Sequence, residues 1–267
     1  MSIKNKLVCR SLSIHTTSAC TLKCAKCGWS FPRYKKVIQA DCNKTIAALD
    51  KVFQIYDEIR EVRFGGAEAF LYPHIEELME AVSAYKERFE YAIIVTNGTY
   101  VPRLSIIDTM RNLPYRMLVR VDNYGHLSKQ YDKIVEMLRG NGIEIDERNY
   151  DGNDQAFGGW IDLGDYTDKF YTMEELNRVF YNCRVPDDCT ILLDDKITIC
   201  SYAFSGALMG KVSNEAREMI DLSGGQSIEE LRNAVKAWRD TPLNACRYCN
   251  GCDPTNSPRI PAAEQLP

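Results

Sequence analysis

Strand-length apolar runs alternate with longer segments whose apolar residues return every third or fourth position, and this alternation constrains the fold of the 267-residue chain more than any other feature. It places strands over 8–16, 61–64, 91–95, 116–121 and 143–146, with helices over 45–59, 75–89, 101–113 and 127–139 between them. Strands separated by helices of that length argue for parallel βα units on one sheet. A further strand over 160–163 completes a sixth unit, inside the Gly-, Asp- and aromatic-rich stretch 149–169. The rest of that stretch reads as a substrate-facing loop or a connector. Six units fall short of the eight that close a full barrel. The predicted class is therefore α/β, a partial (β/α)6 TIM-like barrel with a small carboxyl-terminal domain. Polar residues recur where such barrels carry their chemistry, at the carboxyl ends of strands: Gly65-Gly66, Thr96-Asn97-Gly98 and Asp122-Asn123.

Eleven cysteines sit on this frame. Cys20, Cys24 and Cys27 follow the first strand with the spacing C-x3-C-x2-C. Three thiolates that close together on a loop can hold an inorganic cluster, whereas zinc wants a fourth protein ligand nearby. A four-iron cluster with three protein ligands keeps one iron open. Beyond Tyr181 come Cys183, Cys189, Cys200, Cys246, Cys249 and Cys252. They accompany a predicted hairpin, 190–193 and 197–200, turning at Asp194-Asp195-Lys196. A helix over 222–240 follows, its start marked by Ser227 and Glu230 at capping-box spacing. Four thiols from a hairpin and a C-x2-C pair suit an iron–sulfur cluster or a zinc ribbon. The chain accordingly divides into a barrel over 1–180 and a cysteine-rich unit over 181–267. Cys9 and Cys42 lie outside both groups and read as packing residues. His15 reads as a core histidine, and His74 and His126 belong to no motif.

Composition removes several classes of function. No apolar run approaches the roughly 18 residues of a membrane span, and no secretion signal opens the chain, so a cytoplasmic protein is expected. Free thiols persist in a reducing cytosol, which turns the cysteine count toward metal rather than disulfides. Net charge is −4, and the basic residues are scattered rather than striped, which excludes a nucleic-acid partner.

Together, the cysteine triplet, Arg63-Phe64-Gly65-Gly66-Ala67-Glu68 and Val95-Thr96-Asn97-Gly98 resemble the radical SAM superfamily, and the resemblance spans about 8–252. It implies a [4Fe–4S] cluster on Cys20, Cys24 and Cys27 whose open iron chelates S-adenosylmethionine. Reductive cleavage then yields a 5′-deoxyadenosyl radical that abstracts a substrate hydrogen. It further implies that Gly65, Gly66 and Glu68 receive the amino group of S-adenosylmethionine, with Thr96, Asn97 and Asp122 on adjoining strand ends. Ala67 separates the glycine pair from Glu68 here, and Lys26 stands where many members carry an aromatic residue. The second cysteine group resembles the truncated SPASM domain, or twitch, that holds an auxiliary [4Fe–4S] cluster. Members so equipped include the aminocyclitol dehydrogenase of butirosin biosynthesis. This implies Cys183, Cys200, Cys246 and Cys249 as ligands, Cys189 and Cys252 as spares or substitutes, and Asp195 in place of the usual turn glycine.

The function these readings imply is oxidation of a secondary alcohol on a sugar- or cyclitol-like small molecule, with the auxiliary cluster accepting the second electron. A flavodoxin- or ferredoxin-type protein would supply the electron that cleaves S-adenosylmethionine. Arg148, leaving a strand end, is the candidate for clamping an anionic or hydroxylated substrate. Only seven residues precede the first strand, so the leader-binding domain of many peptide maturases is not expected. A peptide maturase or an epimerase with Cys252 as hydrogen-atom donor is the alternative. A noncatalytic iron–sulfur or zinc protein is the reading from another class.

Overall fold

Alternation along β1 (Val8–Thr17) buries Leu12 and Ile14 on one side and turns Ser11 and Ser13 to the other. The structure, a computed structural model, describes residues 6–213 and 217–267. α1 (Cys42–Ile55) starts three residues before its predicted position because the Asp41 side chain accepts the Lys44 N–H and caps it. β2 (Glu58–Gly66), longer than predicted, lies parallel to β1 from Val8↔Glu58 to His15↔Gly65. The predicted helix over 75–89 is divided. α2 (Ile75–Val82) gives way to a 3-10 segment, Ser83–Arg88, in which Tyr85 leaves helical geometry to stack on Phe53 at 4.1 Å.

β3 (Tyr91–Thr96), α3 (Leu104–Asn112), β4 (Met117–Asn123), α4 (Tyr131–Gly140) and β5 (Glu144–Asn149) continue the parallel series. α4 begins late because Gly125–Leu127 forms a separate 3-10 turn. β6 (Trp160–Ile161) follows, then α5 (Met173–Tyr181), started by a capping box between Thr172 and Glu175, and the single turn α6 (Val185–Asp188). The hairpin is made by β7 (Thr190–Leu193) and β8 (Lys196–Thr198), with Asp194 at φ 52° in the turn. α7 (Ser201–Leu208), β9 (Ile220–Asp221) and α8 (Ile228–Lys236) complete this part. Ser227 and Glu230 form the capping box that starts α8, six residues after the start predicted for this helix. β10 (Arg259–Ile260) is last.

One prediction about the sheet is corrected. The sixth parallel strand is β7, which pairs with β1 through Leu12↔Thr190 and Ile14↔Leu192. The segment predicted for that place, 160–163, forms only the two-residue β6, paired antiparallel with β10 in a separate sheet. Gly159 at φ 99° and Gly164 at φ 107° bend the chain on either side of it. The main sheet runs β5-β4-β3-β2-β1-β7-β8-β9 and is a partial TIM-like barrel.

The strands face helices with apolar residues. Val62, Phe64, Ile94, Val119 and Val121 are buried against Leu49, Phe53, Leu78, Ile107 and Leu138, each such side chain contributing about 1.5–3 kcal/mol by transfer from water. On β1, β2, β4 and β5 the alternate residues are polar: Ser11 and Ser13, Glu61 and Arg63, Arg120 and Asp122, Asp146 and Arg148. Those residues make the concave side of the sheet.

Candidate active site

Between β1 and α1 the chain crosses the carboxyl end of the sheet and is pinned there, Ser18 N–H to Ile38 O and Ala40 N–H to Thr16 O, both at 2.8 Å. Cys20, Cys24 and Cys27 lie on this loop within electrostatic reach of one another, and burial raises all three thiols, Cys20 to about 12. Each sulfur nevertheless meets an N–H. Leu22 N and Asn97 Nδ2 approach Cys20 Sγ at 3.4 and 3.5 Å. Gln265 Nε2 donates to Cys24 Sγ at 3.4 Å, and the backbone N–H groups of Trp29, Ser30 and Phe31 lie close to Cys27. Such donors stabilise an anionic sulfur. The donor set fits three corners of an iron–sulfur cluster.

A strap over 262–266 covers this loop. Ala25 N donates to Glu264 O at 2.7 Å, Leu266 N to Lys23 O at 2.8 Å, and Ala263 is buried against Leu22 and Cys24. Sequence reading missed Gln265, because the contact spans 241 positions and leaves no local pattern.

Gly65, Gly66 and Asp122 line a cleft of about 720 Å³ on the concave side of the sheet. At Gly66, φ is +114°, and a Cβ would stand 2.6 Å from Thr17 O and 2.9 Å from His15 Nδ1, so only glycine fits. Glu68, Thr96 and Asn97 do not line the cleft, although their chain neighbours Ala67 and Val95 do. Glu68 is wholly buried, and its Oε2 accepts from Thr96 Oγ1 at 3.1 Å and from the Asn97 N–H at 3.0 Å. Its Oε1 makes no hydrogen bond of normal geometry among the described residues, although the Phe70 N–H lies near. Burial outweighs these donors and raises the carboxyl to about 7. An orphaned buried acceptor of this kind suits an ammonium donor. His15 is in the core as expected, among Trp29, Phe31 and Phe204, but neither ring nitrogen has a partner among the described residues; burial lowers it to about 4 and keeps it neutral.

The second group of thiols assembles from three places. Cys183 follows α5, Cys200 caps α7 by accepting the Ala203 N–H at 3.4 Å, and Cys246 and Cys249 come from the 3-10 turn Asn244–Tyr248 and its end. Every pair among these four is within electrostatic reach. Burial raises all four, Cys246 to about 12, and each faces a backbone N–H, as at Gly251 N to Cys249 Sγ, 3.3 Å. Cys252 stands beside Cys183 and Cys249 and lines the cleft. Cys189 belongs elsewhere, with Cys9 and Arg63 as its neighbours. All eleven cysteines are free, and among the described residues no three Cys, His, Asp or Glu side chains are close enough to chelate a single ion.

Inside the cleft the polar strand residues pair across the ladder. Burial alone would raise Glu61, but the Arg63 charge, with hydrogen bonds from Ser11 Oγ at 2.7 Å and Tyr91 Oη at 3.0 Å, holds it below its ordinary range. Asp146 is held low against burial in the same way by Arg120 at 2.9 Å and Arg148 at 3.1 Å. Asp122 has no such pairing. Burial raises it to about 6, its Oδ1 is without a partner among the described residues, and Tyr124 Oη is 3.4 Å from Oδ2. Arg148, singled out by sequence, is in this wall with its guanidinium 5.1 Å from the Phe157 ring centre. Sequence reading missed Glu61, Arg63 and Arg120. The signal was present as polar residues at alternate positions of β2 and β4.

No family model matches the chain, and no curated protein matches it. Solved structures do. BtrN in complex with AdoMet and 2-DOIA aligns with a TM-score of 0.59 and 14% identity, over 98% of this chain and 100% of that one. Polyhistidine-tagged anSMEcpe with bound AdoMet gives 0.58 and 13%, over 97% and 89%. Native anSMEcpe with bound AdoMet gives 0.57 and 13%, over 96% and 92%. These neighbours are radical SAM enzymes, and the fold of this chain is the one they share. Among the described residues no helix is long and apolar enough to cross a membrane.

Proposed function

We propose that the chain is a radical SAM enzyme that oxidises a secondary alcohol of a small hydroxylated molecule. One observation carries this reading: three thiols on the loop after β1, Cys24 buried, Cys27 partly buried and Cys20 exposed, each with N–H groups close by, directly before Gly28 and Trp29 of the polar cleft. When bound, a [4Fe–4S] cluster on Cys20, Cys24 and Cys27 with S-adenosylmethionine supplies hydrogen-atom abstraction, and a second [4Fe–4S] cluster on Cys183, Cys200, Cys246 and Cys249 takes up the electron left on the substrate.

The chain's own residues do the rest. Gly65 and Gly66 let the cofactor lie against backbone, and the unsatisfied Oε1 of Glu68 accepts from its ammonium group. Arg148 orients the substrate hydroxyl from the opposite wall. Asp122, poised near 6, takes the hydroxyl proton as the alcohol becomes a ketone. The substrate thereby loses one hydrogen atom from carbon, one proton from oxygen and one electron. Trp29, Trp160 and Leu163 supply apolar walls that exclude water. A flavodoxin- or ferredoxin-type donor is the reductant this scheme needs.

Cys252 supports a second reading, epimerisation. It lines the cleft, and burial raises its thiol to about 11, so it keeps a hydrogen atom to give at neutral pH. Solvent deuterium in an unoxidised product would select that reading.

Anaerobic reconstitution should load about eight irons per chain, and dithionite with S-adenosylmethionine should then yield 5′-deoxyadenosine. Cys20→Ala, Cys24→Ala and Cys27→Ala should each abolish the nucleoside, while Cys246→Ala and Cys249→Ala should spare it. Zinc in place of iron, with no nucleoside formed, would remove the proposal.

A further inference from the structure

Six arginines line the cleft, Arg10, Arg63, Arg120, Arg148, Arg184 and Arg259, against three carboxylates, Glu61, Asp122 and Asp188, and no lysine. Their pairing leaves the excess uncompensated. Arg63 has Glu61 to itself at 2.6 Å. Arg120 and Arg148 share the carboxylate of Asp146, with Asp122 within electrostatic reach of both. Arg10, at 4.0 Å, and Arg184 share Asp188. Arg259 donates to the Pro254 carbonyl at 3.0 Å, a neutral partner. A carboxylate shared by two guanidiniums neutralises one of them, and guanidinium forks are built for planar or tetrahedral oxyanions.

We infer that the substrate of this cleft carries an anionic group, a carboxylate or a phosphoryl ester, on its hydroxylated skeleton. This rests on the reading above that the cleft receives the substrate. S-adenosylmethionine does not absorb the surplus, because its sulfonium and ammonium charges outnumber its carboxylate. A neutral sugar would leave two of the six guanidinium charges without a counter-charge, since Glu61, Asp122, Asp146 and Asp188 offset four, at a cost that low-dielectric walls increase. The aromatic faces of Trp29, Phe157 and Trp160 leave room for the uncharged part of the molecule.

Calorimetric titration of the reconstituted protein, saturated with S-adenosylmethionine, tests this with three probes: inorganic phosphate, gluconate and glucose. The anions should bind saturably and lose affinity as salt is added, with glucose silent at the same concentrations. Tighter binding of phosphate than of gluconate assigns a phosphoryl ester, and the reverse order a carboxylate. Arg148→Gln should weaken the preferred anion roughly tenfold or more. Arg259→Gln, on the exposed rim, should weaken it without a folding cost. Arg116→Gln, outside the cleft and paired with Glu144, should leave it unchanged. Glucose binding as well as either anion, or an Arg148→Gln/Arg259→Gln double variant that keeps wild-type affinity, would overturn the inference. Binding is read without turnover, so nucleoside formation with no anion binding sinks this inference alone, and anion binding with no nucleoside sinks only the radical reading.

Discussion

The Gln265 side-chain amide donates to Cys24 Sγ at 3.4 Å, and its orientation is fixed by both of its ends. Nε2 also donates to Ala263 O at 2.6 Å, while Oε1 accepts the Lys23 N–H at 2.7 Å. The N–H is thus aimed at the sulfur and cannot flip without losing two hydrogen bonds. A donor on a ligand sulfur stabilises the more negative, reduced state of a cluster and raises its potential. In the reconstituted protein, Gln265→Leu should lower the midpoint of the loop cluster by roughly 20–60 mV, one net hydrogen bond for one electron. An EPR-monitored redox titration reads this directly, and an unshifted midpoint removes the role assigned to Gln265.

The two glycines that end β2 should respond differently to alanine. Gly66→Ala places a Cβ on backbone at a φ of +114° and should cost more than about 2 kcal/mol. Gly65→Ala comes closest to the Ser13 hydroxyl, at 3.3 Å, which can rotate away, and touches the Arg63 side chain at ordinary contact distance, so it should cost under about 1 kcal/mol. Urea denaturation of the two variants separates them, and equal losses would show that backbone strain at Gly66 is not the cause.

Stability should fall as pH rises through the range where Glu68 titrates. Its folded carboxyl, raised by burial to about 7, binds a proton that the unfolded chain, near 4.5, has already lost. The native state therefore holds more protons between those values, and unfolding free energy declines across pH 4.5–7 by about 3 kcal/mol for this group. Without S-adenosylmethionine, Glu68→Gln should flatten the profile measured by urea titration at pH 5 and pH 8. A profile of unchanged slope in the variant would assign the dependence to other groups.

Among the six later cysteines, iron content should divide along the lines of their neighbours. Cys183→Ser, Cys200→Ser, Cys246→Ser and Cys249→Ser should each lose about four irons per chain on reconstitution. Cys189→Ser, whose neighbours are Cys9 and Arg63, should retain them. Iron loss from Cys189→Ser with retention in Cys183→Ser would exchange their roles.

The βα alternation and the cysteine spacing were legible in the chain because both are local, set by residues a few positions apart. The polar lining was not. Arg63, Arg120 and Asp146 alternate with the buried Val62 and Val119 and the half-buried Ile145, a pattern that ordinarily marks a strand with one face in water. Here that face is the wall of the cleft, and only the curvature of the sheet says so. The sixth strand was misplaced for a related reason. Residues 160–163 and 190–193 are both apolar enough for a strand, and the choice between them depends on which one reaches β1, a long-range fact. Helix ends shifted where a side chain intervened, Asp41 capping α1 early and Tyr85 stacking on Phe53 beyond α2.

Because β7 is hydrogen-bonded parallel to β1 and β8 returns antiparallel beside β7, Cys20 leaves the carboxyl end of this ladder while Cys200 follows its opposite end. The separation between the two groups of thiols is therefore laid out along the strands of one sheet. Changing it would mean unzipping the sheet.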